Sequence, residues 1–261
     1  MNSFLNITYI QYSIAWENAE KNRSFLTEII TKASKSDMYV LPETFVTGFS
    51  IKEEIAETME GKTVAWMKKM AILKDAALMG SLIIKDDSAI YNRMLLVTPK
   101  GEIKIYNKLH LFSYGGEDKC FVRGDKNVVF EYLGWKIKPI ICYDLRFPVT
   151  IRNTENYDIL ICVANWPNTR IEAWDTLLKA RAIENQCYVI GLNRVGVDGN
   201  GLEYCGHSNV YDALGQKLSE FKTDFDISSF NLEKKKINLI RDNFPFLRDR
   251  DFFELTEVSK K

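Results

Sequence analysis

The apolar run over residues 137–142 stops abruptly at a thiol, and that stop constrains both the fold and the chemistry open to this chain. In Lys138-Pro-Ile-Ile-Cys-Tyr-Asp-Leu-Arg-Phe-Pro148 a β-type segment gives way, at Cys142, to polar and turn-prone residues. A short apolar run bounded by turn residues reads as a strand buried on both faces, as in a parallel sheet. Open α/β proteins bind ligands at the carboxyl ends of such strands. Cys142 stands at that place and is a candidate nucleophile. Free cysteines are among the most buried residue types, so core packing is the ordinary reading of a strand cysteine. Cys162 and Cys187, inside apolar runs, keep that reading.

The pattern around this run alternates strands and helices. Apolar runs predict strands over residues 7–11, 38–41, 77–84, 90–98, 103–106, 137–142, 158–164 and 187–192. Helical spacing predicts helices over 18–35, 63–73, 147–156 and 171–186. The last is the clearest: Ile171, Trp174, Leu177, Leu178 and Ala182 form one apolar stripe, and Thr169 with Glu172 fits a capping box. A glycine-rich turn is expected over 196–201 and a hairpin over 209–215. No Pro-, Gly- or Ser-rich linker, low-complexity tract or short repeat interrupts the 261 residues. One α/β domain with mixed sheets is the simplest account.

Charge and cysteine usage exclude several classes. Lys plus Arg equals Asp plus Glu at 35 each, so the basic excess of a nucleic-acid binder is absent. No apolar run approaches the ~18 residues of a membrane span, and the N-terminus lacks the pattern of a signal peptide. The expected location is the cytoplasm. Five cysteines without a C-x-x-C pair argue against a disulfide framework or zinc ribbon, and two histidines leave little for an imidazole metal site.

A thiol nucleophile needs a base and a group to stabilise charge. Glu43, in Leu41-Pro-Glu-Thr-Phe45, emerges from a strand end; read alone it is a solvated loop acid. Lys108, in Tyr106-Asn-Lys-Leu-His-Leu-Phe112, lies between a strand and an apolar segment. A surface lysine with a snorkelling head is the commoner case there. Glu117, in Tyr114-Gly-Gly-Glu-Asp118, reads alone as a surface residue. His110 and His207 are the only histidines a papain-like thiol–imidazole pair could use, and each also reads as a structural hydrogen-bonding residue.

Taken together, Glu43, Lys108 and Cys142, with their motifs and order, resemble the nitrilase, or carbon–nitrogen hydrolase, superfamily. The resemblance runs from Gln11 to the hairpin over 209–215. Val163-Ala-Asn-Trp-Pro167, Ala180-Arg-Ala-Ile-Glu-Asn-Gln186 and Asn193-Arg-Val-Gly-Val-Asp-Gly-Asn-Gly201 look most like bacterial omega-amidases, which act on 2-oxoglutaramate and 2-oxosuccinamate. It implies a four-layer α-β-β-α sandwich and a homodimer. A single hydrolase domain would fill residues 1–261, with the last ~25 residues an extension at the surface or dimer interface. It implies Glu43 as general base, Lys108 as oxyanion-stabilising cation, Cys142 as nucleophile and Glu117 as an accessory glutamate. The expected reaction is hydrolysis of a small-molecule amide through a thioester, with neither metal nor organic cofactor and with neither nucleic acid nor membrane as partner. The backbone N–H of Tyr143 would join Lys108 at the oxyanion.

The carboxylate of such a substrate needs a cation. Arg170 offers a bidentate partner, with Trp166 as a pocket wall; a surface arginine at a helix start is the other reading. Arg146 is expected to pair with a nearby carboxylate in a structural role. Other amides, nitriles and carbamoyl amines would use the same three groups. A non-catalytic scaffold subunit would be expected to have lost one of them, and a redox thiol protein would need a partner such as Cys162 close in space.

Overall fold

In the computed structural model, which describes residues 3–253, two sheets face each other and share one apolar layer. The chain order is β1 (Phe4–Gln11), α1 (Ala19–Lys32), β2 (Met38–Val40), α2 (Lys62–Lys74), β3 (Ala77–Asp86), β4 (Ala89–Val97) and β5 (Ile103–Asn107). Next come α3 (Glu117–Cys120), β6 (Phe130–Tyr132), β7 (Trp135–Ile141), α4 (Pro148–Ile151), β8 (Ile159–Val163), α5 (Ile171–Asn185) and β9 (Tyr188–Leu192). The chain ends through β10 (Val195–Val197), β11 (Glu203–Cys205), β12 (Asn209–Tyr211), β13 (Asp226–Glu233) and α6 (Lys234–Asn243).

The first sheet runs β13-β1-β2-β3-β4-β5 and the second β12-β9-β8-β7-β6. Each has the same plan. Three parallel strands (β1-β2-β3 and β7-β8-β9) are joined by helical crossovers, and antiparallel strands flank them. Strand periodicity explains why their sequences read as unbroken apolar runs. In β8, Ile159, Ile161 and Val163 enter the layer between the sheets, while Leu160 and Cys162 face the outer helices. In β3, Ala77 and Met79 point inward and Leu78, Leu82 and Ile84 pack with α1 and α2. The layers are therefore helices, sheet, sheet, helices, as the four-layer α-β-β-α reading expects.

Two predicted features differ. The helix expected over 147–156 is the single turn α4. Asn153 ends it: its side chain bonds both main-chain groups of Tyr157 at 2.8 and 3.0 Å, replacing the next helical turn. The capping box at Thr169 and Glu172 is not formed. Residues 168–170 make a 3-10 turn, and the N-cap of α5 is Arg170, without a side-chain cap bond. The strands β6, β10, β11 and β13 were not foreseen. β13 is polar and half-exposed, and it exists because its backbone pairs with β1 from Phe4↔Glu233 to Gln11↔Asp226.

Of the C-terminal extension, α6 packs by Ile237 against the layer between the sheets, and Arg241 donates to the Gln186 and Tyr157 carbonyls at 3.0 and 2.6 Å. Residues 254–261 lie outside the described residues. Among the described residues no helix is long and apolar enough to cross a membrane.

The layering makes a stability prediction. Ile161 is fully buried between the sheets, whereas Leu73 is 58% exposed. Ile161→Ala is expected to cost ~2–5 kcal/mol, and Leu73→Ala to stay within ~0.5 kcal/mol. Urea unfolding measures both, and equal costs would contradict this placement of the core.

Candidate active site

Segments leaving the carboxyl ends of β2, β5, β7 and β8 meet at one cavity of about 600 Å3, whose lining includes Glu43, Lys108, Cys142 and Asn165. The cysteine is held by backbone geometry. Cys142 has φ +46°, in the left-handed region that few residues other than glycine adopt. It opens a 3-10 turn over Cys142–Arg146 directly after β7. A sharp strand-to-helix turn of this kind lifts a side chain clear of the sheet top.

Asp144 fixes that turn. Its Oδ2 accepts the Ile141 N–H at 2.9 Å and the Tyr106 O–H at 2.8 Å. Its Oδ1 lies 2.9 Å from both the backbone nitrogen and Nδ1 of His110. A carboxylate only accepts, so the Nδ1 proton sits between them. The His110 ring stacks on Phe147 with centroids 3.9 Å apart. One buried carboxylate thus ties the cysteine turn to the segment carrying Lys108. His207 is bonded to Asp175 at 2.9 Å and does not line the cavity.

Beside the cysteine lies a fully enclosed charge cluster. The side chains of Lys108, Glu43 and Glu117 all have zero exposure. Lys108 Nζ lies 2.9 Å from Glu43 Oε1 and 2.9 Å from Glu117 Oε2. The other Glu43 oxygen, Oε2, accepts the backbone N–H of Asn165 at 2.8 Å. Burial alone would lower the Lys108 ammonium, but the two carboxylates outweigh it and hold it above the usual lysine range. Burial pushes Glu117 up; Lys108 opposes that and the Glu43 charge adds to it. Burial and Glu43 also raise the Cys142 thiol, against the pull of Lys108. In this environment the thiol keeps its proton until a base removes it.

These positions overturn three residue-by-residue readings. Glu43 is no solvated loop acid, because the Leu41-Pro42 exit carries it under the loop over residues 44–50, itself largely buried. Lys108 is no snorkelling surface lysine. Glu117 is no surface residue: the turn at Gly116, with φ +80°, folds α3 inward, and its Oε2 accepts the Phe112 N–H at 2.6 Å. Glu117 sits behind Lys108 rather than on the cavity wall.

Arg170 and Trp166 both line the cavity, as does Tyr143. The Trp166 indole N–H donates to the Arg170 carbonyl at 2.8 Å, and the Arg170 guanidinium lies 5.6 Å from the Phe112 ring centre. The expectation for Arg146 fails. Among the described residues it makes no ion pair with a carboxylate; its guanidinium lies over Trp166 at 4.8 Å, on the cavity wall. The turn that presents Cys142 also presents Arg146, one helical turn on. Cys162, fully buried on the outer face of β8, packs among the outer helices.

Residue-type reasoning missed Asn92, Asn165 and the cavity-lining residues Trp16, Asp198 and Tyr204. A signal existed for Asn92: it is a polar residue inside the apolar run of β4. Among the described residues no group of three or more His, Cys, Asp or Glu side chains gathers where it would hold a metal ion.

The carbon–nitrogen hydrolase family matches residues 6–232. Omega-amidase YafV of Yersinia enterocolitica is 39% identical over 254 residues, covering 97% of this chain and 99% of the relative. The 2-oxoglutaramate amidase of Bacillus subtilis (strain 168) is 33% identical over 250 residues, with 93% and 96% covered. Among solved structures, XC1258 of Xanthomonas campestris, a CN-hydrolase superfamily protein with an arsenic adduct in its active site, superposes with a TM-score of 0.94. It is 40% identical and covers 98% of this chain and 100% of its own. Nit3 of Saccharomyces cerevisiae, at 22% identity and a TM-score of 0.85 over 97% and 98% of the two chains, shares the fold.

The enclosed cluster predicts a pH-dependent stability defect. Lys108→Met removes the one cation from two buried carboxylates and is expected to cost ~3–5 kcal/mol near neutral pH. Glu117, already raised, then binds its proton more tightly in the folded state than in the unfolded one. Stability of that kind is present below the unfolded-state value and lost as pH rises through the folded-state value. The gap in melting temperature between wild type and Lys108→Met should therefore narrow from about pH 8 to about pH 5. Scanning calorimetry checks it; a gap that widens on acidification would contradict the cluster.

Proposed function

This chain belongs to the carbon–nitrogen hydrolase family, and from that premise we infer that it is an amidase that cleaves the terminal amide of a 2-oxo dicarboxylic acid monoamide, such as 2-oxoglutaramate, to the 2-oxo acid and ammonia. The observation that carries the reading is the convergence of a thiol, a carboxylate and an ammonium on one cavity with cationic walls.

The chemistry follows from where charge develops. Glu43, enclosed and acceptor-only, takes the Cys142 proton as sulfur attacks the amide carbon. The new oxyanion forms against the Lys108 ammonium and the backbone N–H of Tyr143. Donors already in place in a site that excludes water give the largest single catalytic contribution in many enzymes. Glu43 returns its proton to the amide nitrogen, the C–N bond breaks and ammonia leaves, with the acyl group held as a thioester on Cys142. Water, deprotonated by Glu43, adds to the thioester and releases the carboxylic acid and the thiol. Glu117 keeps Lys108 charged and in place through the cycle.

Substrate choice rests on the wall. Arg170 and Arg146 each hold a guanidinium against an aromatic ring at the cavity. Neither is committed to a protein carboxylate among the described residues. A planar guanidinium pairs a carboxylate through two parallel bonds, which suits the 2-oxo acid end of the substrate. Trp166, between the two arginines, holds the apolar stem.

Cys142→Ala is expected to abolish ammonia release from 2-oxoglutaramate while leaving the melting transition intact; retained turnover would contradict the mechanism. Arg170→Ala should raise KM for 2-oxoglutaramate by ~10-fold or more, with little change for a neutral short amide. Equal effects on the two amides would remove Arg170 from carboxylate binding.

A further inference from the structure

One residue touches all three members of the buried charge cluster. Asn92, on β4, has zero exposure. Its Nδ2 donates to Glu43 Oε1 at 2.8 Å and to Glu117 Oε1 at 3.1 Å, and its main-chain oxygen accepts the backbone N–H of Lys108 at 3.0 Å. We propose that Asn92 is a positioning residue that holds Glu43 and Glu117 on a shared amide donor, so that Glu43 faces Cys142 as a carboxylate.

Two observations support this beyond the bonds themselves. The cluster contains two carboxylates and one ammonium, which leaves one negative charge without an ionic partner in an enclosed site. A neutral donor with two N–H groups serves both acids at once without adding a second cation, which would draw Glu43 away from its role as a base. The second observation is the other end of the amide. Asn92 Oδ1 is buried with no hydrogen-bond partner. Leaving a buried polar atom unpaired is unfavourable, and a residue kept only for packing would be better replaced by an apolar one. What the amide contributes here is its NH2 side, and that orientation is forced, because ionised carboxylates only accept.

The groups that share this environment come from several elements. Glu43 follows β2, Lys108 follows β5, Glu117 opens α3 and Cys142 follows β7. Cys162 on β8 also acts on the Cys142 thiol, Asp144 in the cysteine turn acts on Cys162, and the Tyr204 hydroxyl on β11 is raised in part by Cys142. Against all of these, the distinctive effect of Asn92 is to favour the charged form of the two acids. A donor to a carboxylate favours its ionised state. Removing that donor lets the site take up a proton at higher pH, and the base is lost over a wider acidic range.

This inference rests on the amidase reading for its role, and the test separates the two. Ammonia release from 2-oxoglutaramate is measured against pH for wild type, Asn92→Ala and the isosteric Asn92→Asp. In parallel, the rate of Cys142 modification by iodoacetamide is followed over the same range, which needs no turnover. The expected result is an acid limb of kcat/KM displaced by about one pH unit toward alkaline pH in Asn92→Ala. On the acidic side this is a loss of ~10-fold that is recovered as pH rises, with KM nearly unchanged. Asn92→Asp, which adds a third carboxyl, is expected to move further. A uniform loss with an unmoved acid limb in both variants would overturn the proposal, as would loss of the native melting transition in both. If wild type releases no ammonia, the amidase reading fails. The alkylation profiles then decide the role of Asn92: displaced profiles support it and superimposed profiles overturn it.

Discussion

The contact on which the site depends is the enclosed pair of Lys108 and Glu43, 2.9 Å apart with no exposure on either side chain. Two charges taken out of water are favourable only if their remaining hydrogen-bonding positions are filled. Here they are: Glu117 and Asn92 complete one side, and the Asn165 backbone completes the other. The consequence is functional. The pair is closed to solvent, so its charges act with little screening on the Cys142 thiol, which borders the same cavity. Burial raises that thiol and Lys108 pulls it down.

Holding this arrangement is the work of the two sheets. The parallel strands of both end toward the same edge, and their carboxyl-terminal segments deliver side chains from remote parts of the chain. The Asn165 backbone N–H, 122 residues away in sequence, donates to the Glu43 side-chain carboxylate at 2.8 Å across the two sheets. Asp144 joins the cysteine turn to the lysine segment through Tyr106 and His110. Glu43 and Glu117 each accept a main-chain N–H, from Asn165 and Phe112, so their orientation is supplied by folding rather than by binding.

Much of this was legible in the sequence, and the reasons differ by residue. The strand ending at Cys142 could be read because both faces of β7 are buried, which writes a continuous apolar run. The helices α1, α2 and α5 could be read because one face of each packs on a sheet. Glu43, Lys108 and Glu117 were legible only as a set: alone, each has the composition of a surface residue, and what buries them are contacts from distant strands that local spacing does not encode. β13 was not legible because its stability comes from pairing with β1 more than from its own side chains. The pairing of Arg146 with a carboxylate was misjudged, since the 3-10 turn aims it at Trp166 instead. Asn92 carried a local sign, a polar side chain in an apolar strand, but its partners lie on three other segments.

The most direct measurement of the central claim is a double-variant cycle on ammonia release from 2-oxoglutaramate, with Glu43→Gln, Lys108→Met and both together. Groups that act as one unit lose nearly all their effect when either is removed. The account predicts that the double variant is about as slow as the more damaged single one. Losses that multiply, each substitution acting independently of the other, would contradict it.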